Sequence, residues 1–170
     1  SDLGECIGPP AGLEQVAASD YLCAKPDEDA MNDVRQTREG IRIHEPADFA
    51  GMHAAGRIAA QILDEVGPLV QPGATTGAID DFIRNRVVEL GTVSATIGYR
   101  GYQHASCISV NHVVCHGIPG EKRLADGDIL NIDVTVILDG WFGDSSRMYV
   151  AGSPSVKARR LMQVTHDALM

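Results

Sequence analysis

Basic residues are scarce: 14 Lys and Arg stand against 23 Asp and Glu, a formal charge of −9. That sign excludes a nucleic-acid binder held by phosphate contacts. No run approaches the roughly 18 apolar residues of a membrane helix. No basic-then-apolar signal segment opens the sequence. The four cysteines, Cys6, Cys23, Cys107 and Cys115, form no C-x-x-C pair. A structural zinc site is therefore not indicated, and reduced thiols in a cytoplasmic protein are expected. Phosphate loops, serine-centred elbows and internal repeats are also missing. What is present is an ordinary apolar content of 44% in 170 residues. That suffices for the core of one domain, or of one domain with a tail.

The tail is at the N-terminus. Residues 1–36 hold eight acids and two bases, so −6 of the total charge sits there and −3 on the other 134 residues. With GPPAG and KPDED in it and little periodicity, this acidic extension is expected to be largely disordered. Leu13–Leu22 is compatible with a short helix. Met31 lies just before the first strong element, and the natural start is expected near it.

Two amphipathic helices follow. Pro46 suits a first helical turn. Phe49, Met52, Ala55 or Gly56, Ala59, Ile62, Leu63 and Val66 recur at helical spacing until Gly67-Pro68. Thr75 or Thr76 can cap a second helix with Ile79, Phe82, Ile83, Val87 and Leu90 as its apolar stripe and Gly91 as its stop. Both should lie on a sheet. Cys107–Val110 reads as a strand, and Val113–Cys115 as a strand or extended segment. Ser153-Pro154 reads as a cap followed by proline at the first position of a last helix, with Val156, Leu161, Val164 and Leu169 at helical spacing.

The chain is organised around 129–150, ILNIDVTVIL-DG-WFGDSSRMYV. The first run suits a buried strand. Asp139-Gly140 is a two-residue hairpin turn, since both residues tolerate positive φ. Leu138 then faces Trp141, and Thr135 faces Asp144. Side chains alternate along a strand, so Asp133 shares the face of Thr135 and is a diagonal neighbour of Asp144, roughly 7–8 Å away at Cα. The opposite face, Leu130, Ile132, Val134, Val136 and Leu138, carries no charge. Two carboxylates beside an apolar core require a proton or a cation between them. The competing reading is two solvated carboxylates near a turn. Carboxylates favour hard or borderline divalent ions, and two ligands are too few for a closed site.

Other candidates are less specific. His116, between a probable strand end and Gly117, can project into a cleft or lie on the surface. A Cys115–His116 thiol–imidazole pair is rejected, because adjacent residues on an extended chain point apart. His104 and His112 are expected on the surface. Tyr99, Tyr102 and Cys107 are candidates for an apolar pocket, although aromatics among glycines equally serve packing.

The stretches GYRGYQHASCISVNHVVCHGIPG and DGDILNIDVTVILDGWFGDSSRMYVAG resemble the type I, bacterial-type methionine aminopeptidases, and the resemblance runs from about Thr37 to Met170. It implies an α/β (α+β) fold, the N-terminal half of a "pita-bread" domain: an antiparallel sheet with helices on one face. It implies two divalent metal ions (Co, Mn, Fe(II), Zn or similar) held by two aspartates, one histidine and two glutamates. Asp133 and Asp144 match the aspartates. His116 matches a histidine that contacts substrate near the scissile bond. Tyr99, Tyr102 and Cys107 match positions lining the methionine pocket. Thr96 stands where many relatives have cysteine. The implied activity is removal of the initiator methionine when the second residue is small, by metal-activated water with a glutamate as general base. The implied partner is the N-terminal methionine of new polypeptides, near the ribosome. No direct nucleic-acid binding and no membrane contact are implied, and the full-length form is a cytoplasmic monomer. The family's ligand histidine and both glutamates find no matching motif in these residues. The 170-residue piece alone is therefore expected to be inactive, to bind metal weakly and to expose an apolar patch. The alternatives are a non-catalytic pita-bread binding protein and a carboxylate-only metal-binding module.

Overall fold

The computed structural model describes residues 35–170. The expectations for a disordered tail, a helix at Leu13–Leu22 and a start near Met31 lie outside the described residues, apart from the tail's last two. Of these, Gln36 forms an isolated antiparallel bridge with Arg42.

Helix α1, Pro46–Val66, begins with Pro46 in its first turn. Glu45 and Asp48 form a reciprocal capping box, in which each side chain accepts from the other end's backbone N–H. Ala55, Ala59, Ile62, Leu63 and Val66 are buried as the spacing requires. Phe49 and Met52 are not; they are 57% and 49% exposed. The first turns of α1 meet the sheet at Gly51 instead, where the indole of Trp141 occupies the place a Cβ would take. Phe49 and Met52 stand to the side of that line. Gly67 ends the helix, and Gly67–Leu69 tightens into a 3₁₀ turn.

Helix α2, Thr76–Glu89, is capped by the Thr75 side chain, which accepts from the Ala78 N–H at 3.1 Å. Ile79, Ile83 and Val87 are buried, and Phe82 and Leu90 pack against the core from its edge. Gly91 follows with φ 68°, a left-handed conformation that suits glycine. Thr76 and Asp80 are also buried on this stripe, which the apolar pattern alone does not reveal. Arg86 joins α2 to α1 through Glu65 and also reaches Glu89. The Arg86 hydrogen bond holds the Glu65 carboxyl below its ordinary value.

The sheet has four antiparallel strands: β1 (Val93–Ser94), β2 (Ser106–Val110), β3 (Ile129–Leu138) and β4 (Trp141–Val150). β4 runs along one edge of β3. β1 and β2 share the other edge end to end, β1 at Val136 and Ile137, β2 from Leu130 to Val134. Residues 95–105 leave the sheet between them. The hairpin register is the expected one: Leu138 opposes Trp141, and Thr135 opposes Asp144. Asp139 and Gly140 have φ 48° and 81°, as a type I′ turn requires.

Leu130, Ile132, Val134 and Val136 are buried under the helices. α1 packs on β3 and β4, and the Tyr149 hydroxyl donates to the Leu63 carbonyl. Closest approach is at Gly143, where an added Cβ would overlap the Ala55 carbonyl and the Gly56 nitrogen. Helices α1 and α2 thus lie on one face, and Asn131, Asp133, Thr135, Asp144 and Ser146 look out from the other.

One alternative drops out and one cap is corrected. Of the two readings of Val113–Cys115, strand or extended segment, the strand is not formed. Asn111 turns left-handed at φ 54°, and beyond it the segment meets β2 at Gly117, which accepts from the Ile108 N–H at 2.8 Å, so no ladder forms. The last helix, α3, spans Val156–Leu169, and its cap is Ser155, which accepts from the Ala158 N–H at 3.1 Å. Pro154 therefore precedes the cap and does not open the helix. No residue of α3 is buried, and Val156, Leu161, Val164 and Leu169 are all exposed.

Replacing Gly143 by Ala forces α1 off the sheet. The expected cost is about 1–3 kcal/mol, a fall in Tm of roughly 2–4 °C per kcal/mol in a thermal melt. Gly56→Ala, where nothing lies within 4 Å of the added carbon, serves as the control and leaves Tm unchanged or higher.

Candidate metal centre

The excursion at 95–105 rises from the β3 edge opposite Thr135, whose carbonyl accepts from the Ala95 N–H at 3.0 Å. It returns at Ser106, opposite Val134. It therefore stands beside Asp133 and Thr135 and walls a cleft of about 700 Å³. All six residues singled out from the sequence line this cleft: Tyr99, Tyr102, Cys107, His116, Asp133 and Asp144. Thr96, Arg100, Thr135, Ile118 and Phe142 line it as well.

Asp133 opposes Cys107 on β2 and Ser146 on β4. Asp144 accepts from the Thr135 hydroxyl at 3.1 Å. Burial raises the carboxyl pKa of Asp133, the negative charge of Asp144 raises it further, and nearby His116 partly offsets both. Among the described residues, neither aspartate takes part in an ion pair. Two facing carboxylates with no basic partner are a donor set suited to a divalent cation. Among the described residues, no group of three or more His, Cys, Asp or Glu side chains forms a complete cage. The two aspartates supply two donors on one face of the sheet.

His116 is exposed on the rim with φ 54°. Gly117 holds it there. The Gly117 N–H donates to the Ser109 hydroxyl at 3.1 Å, and an added Cβ would strike the Ile108 carbonyl. The chain at His116 is left-handed rather than extended, so the premise used to separate Cys115 from His116 does not hold. The separation itself does: Cys115 is exposed and does not line the cleft.

The Tyr102 and Cys107 part of the wall carries no charge, and Arg100 stands at its mouth. The Cys107 thiol donates to the Tyr102 hydroxyl at 3.6 Å. Burial pushes the pKa of both groups up, so Cys107 stays a thiol and is not a poised nucleophile. Thr96 turns its hydroxyl away, donating to the His104 carbonyl at 2.7 Å. Tyr99 is half exposed at the mouth, with the Arg100 guanidinium 5.4 Å from its ring centre.

One expectation fails here. His104 is not a free surface histidine. Its Nδ1 lies 3.1 Å from the carboxylate of Asp80, which is 1% exposed. Asp80 also accepts from the Ser106 N–H at 2.9 Å and the Ser106 hydroxyl at 2.7 Å. A signal for it existed: Asp80 stands four residues after Thr76 and three before Ile83, inside the buried stripe of α2.

The profile of metallopeptidase family M24 matches residues 50–170. The methionine aminopeptidase of Rickettsia prowazekii is 50% identical over 130 residues, covering 76% of this chain and 50% of that protein. Its crystal structure superposes with a TM-score of 0.74 over 75% of this chain and 52% of that one. The Escherichia coli K12 methionine aminopeptidase is 48% identical over 131 residues, again 76% of this chain and 50% of the relative. A Thermotoga maritima methionine aminopeptidase structure, 33% identical, gives a TM-score of 0.71 over 74% of this chain and 51% of that one. The chain thus spans about half the length of the curated relatives it matches, and its sheet and helices are one half of the pita-bread fold. With its profile match over most of the described residues, the chain belongs to metallopeptidase family M24.

Proposed function

We propose that this chain forms part of a metal-dependent methionyl aminopeptidase, which removes an N-terminal methionine when the second residue is small. The observation that carries the reading is the one cleft that joins two facing carboxylates, a rim histidine and the neutral side chains of Tyr99, Tyr102 and Cys107. The likeness to methionine aminopeptidases supports it. In this reading residues 37–170 are half of the catalytic domain, and 1–36 is an extension to it.

Asp133 and Asp144 would hold one or both of two divalent ions. Bound there, such ions would supply Lewis-acid polarisation of the first peptide carbonyl and a water of lowered pKa. The wall of Tyr99, Tyr102 and Cys107 would take the methionine side chain, and its neutral groups exclude charged ones. His116 would donate a hydrogen bond to the substrate amide, where charge develops as the carbonyl is attacked. Thr135, by donating to Asp144, fixes which carboxylate oxygen is left for the ion.

The metal reading has a signature in stability. Asp133 has a folded pKa above its unfolded value, so without metal its charge destabilises the fold. That penalty is fully present above the folded pKa and gone below the unfolded value of roughly 3.9. Asp133→Asn is therefore expected to raise the metal-free Tm by on the order of 2–4 °C at pH 7 and by nothing near pH 3. Mn(II) or Co(II) should raise the wild-type Tm and leave the Asn variant unmoved. With two carboxylate ligands, the 170-residue span alone should bind at roughly millimolar strength. Equal Tm for the two proteins at pH 7, with and without metal, would remove the basis of the site.

Activity is checked with a Met-Ala-Ser peptide and Mn(II) or Co(II). The protein carrying these residues should release methionine, should spare Met-Lys-Ser, and should stop when metal is chelated. The 170-residue span alone should release none. His116→Ala should lower kcat by about 10²–10³. Tight binding of methionyl peptides without cleavage would favour the binding-protein alternative. Metal uptake without peptide binding would favour the metal-module alternative.

A further inference from the structure

Asp80 is a buried carboxylate that the proposed chemistry does not use. It lies on α2, behind the cleft wall, and its hydrogen bonds run to the chain that builds that wall. One carboxylate oxygen accepts from both the backbone N–H and the hydroxyl of Ser106, at 2.9 and 2.7 Å. The other lies 3.1 Å from His104 Nδ1 and 3.8 Å from the Arg84 guanidinium. A buried acid of this kind is costly unless every bond is made. An apolar residue would fill the same place on the stripe at less expense.

The two residues that Asp80 grips are those on which the pocket depends. The Ser106 carbonyl accepts from the Tyr102 hydroxyl at 2.9 Å, and that hydroxyl in turn accepts from the Cys107 thiol. The His104 ring meets the Tyr102 ring edge-on at 5.5 Å, and the His104 carbonyl accepts from Thr96. Thr96, Tyr102 and Cys107 all line the cleft. Thr96 and Tyr102 are therefore one hydrogen bond removed from a residue held by Asp80, and Cys107 directly follows Ser106 in the chain. The cluster is not a nucleophilic triad, because the serine hydroxyl donates to the aspartate and not to the histidine.

We infer that Asp80 is a positioning residue of the cleft, holding Thr96, Tyr102 and Cys107 in one arrangement and so setting which apolar N-terminal side chain is accepted. The inference rests on the methionine-pocket reading given above. It places the control of selectivity on a residue that never touches substrate. Loss of the carboxylate leaves the 102–107 wall free to open, and a branched side chain then fits as well as an unbranched one.

The test has two arms. In the first, the alkylation rate of Cys107 is followed by mass spectrometry, with exposed Cys115 on the same chain as internal reference. Asp80→Ala should speed Cys107 labelling about tenfold and leave Cys115 unchanged. Asp80→Asn keeps an acceptor for Ser106 and should restore most of the protection. Ser106→Ala, which removes only the hydroxyl donor, serves where Asp80→Ala is too unstable to assay. In the second arm, the protein carrying these residues is given Met-Ala-Ser, norleucyl-Ala-Ser and Leu-Ala-Ser. Asp80→Ala should raise KM for the two unbranched substrates about tenfold and change the leucyl substrate little, so that the preference collapses. An equal loss on all three substrates, or unchanged Cys107 labelling, would overturn the inference. Absence of cleavage by the wild-type protein would instead overturn the reading it rests on, and the labelling arm would still decide whether Asp80 holds the wall.

Discussion

Every strand of the sheet is hydrogen-bonded to β3, and the alternation of side chains along that one strand organises the molecule. Its even-numbered residues, Leu130 to Val136, form the floor on which α1 and α2 lie. Asp133 and Thr135, between them, face the other way. The apolar residues that drive folding and the polar residues that face the cleft are therefore interleaved on the same backbone, one residue apart. A strand flat enough to bury the first set necessarily presents the second.

The cleft itself comes from an interruption. Because β1 and β2 share one edge of β3, residues 95–105 must leave the sheet and come back. Glycines at 98 and 101, both left-handed, let the chain turn back on itself. Asp80 then fixes the returning end through Ser106. The carboxylates stand on rigid strands and the apolar wall on a loop, and the loop is anchored from the helical layer behind it. This division suits a site in which charged groups need fixed spacing and the pocket needs a defined shape.

Much of this was legible in the residues themselves. Asp139-Gly140 dictates a I′ turn, and from that turn the register and the shared face of Asp133 and Asp144 follow by parity. Helices α1 and α2 were legible from period and caps. What escaped had specific causes. Phe49 and Met52 fit the apolar period, but the absent side chain of Gly51 is what the sheet contacts. Val113–Cys115 has strand composition, but the segment meets the open edge of β2 only at Gly117. Asp80 and His104 look like surface groups because a pattern of apolar residues marks a polar position as solvent-facing. The place of Asp80 between Thr76 and Ile83 hints at burial, and the tertiary partner Ser106 is what satisfies it there. His116 was legible as a candidate, but its left-handed backbone depends on how closely Gly117 approaches β2.

The hairpin register has a consequence for how this site can vary. Asp133 and Asp144 sit on different strands, so their separation is counted in rungs of a ladder and cannot be adjusted continuously. Inserting one residue in β4 between the turn and Asp144 would not shift Asp144 slightly; it would carry its side chain through the sheet to the helix side, where Gly143 now lies against α1. The spacing of the two charges is quantised. Fine adjustment is left to the wall at 96–107, whose shape can change without moving the carboxylates at all.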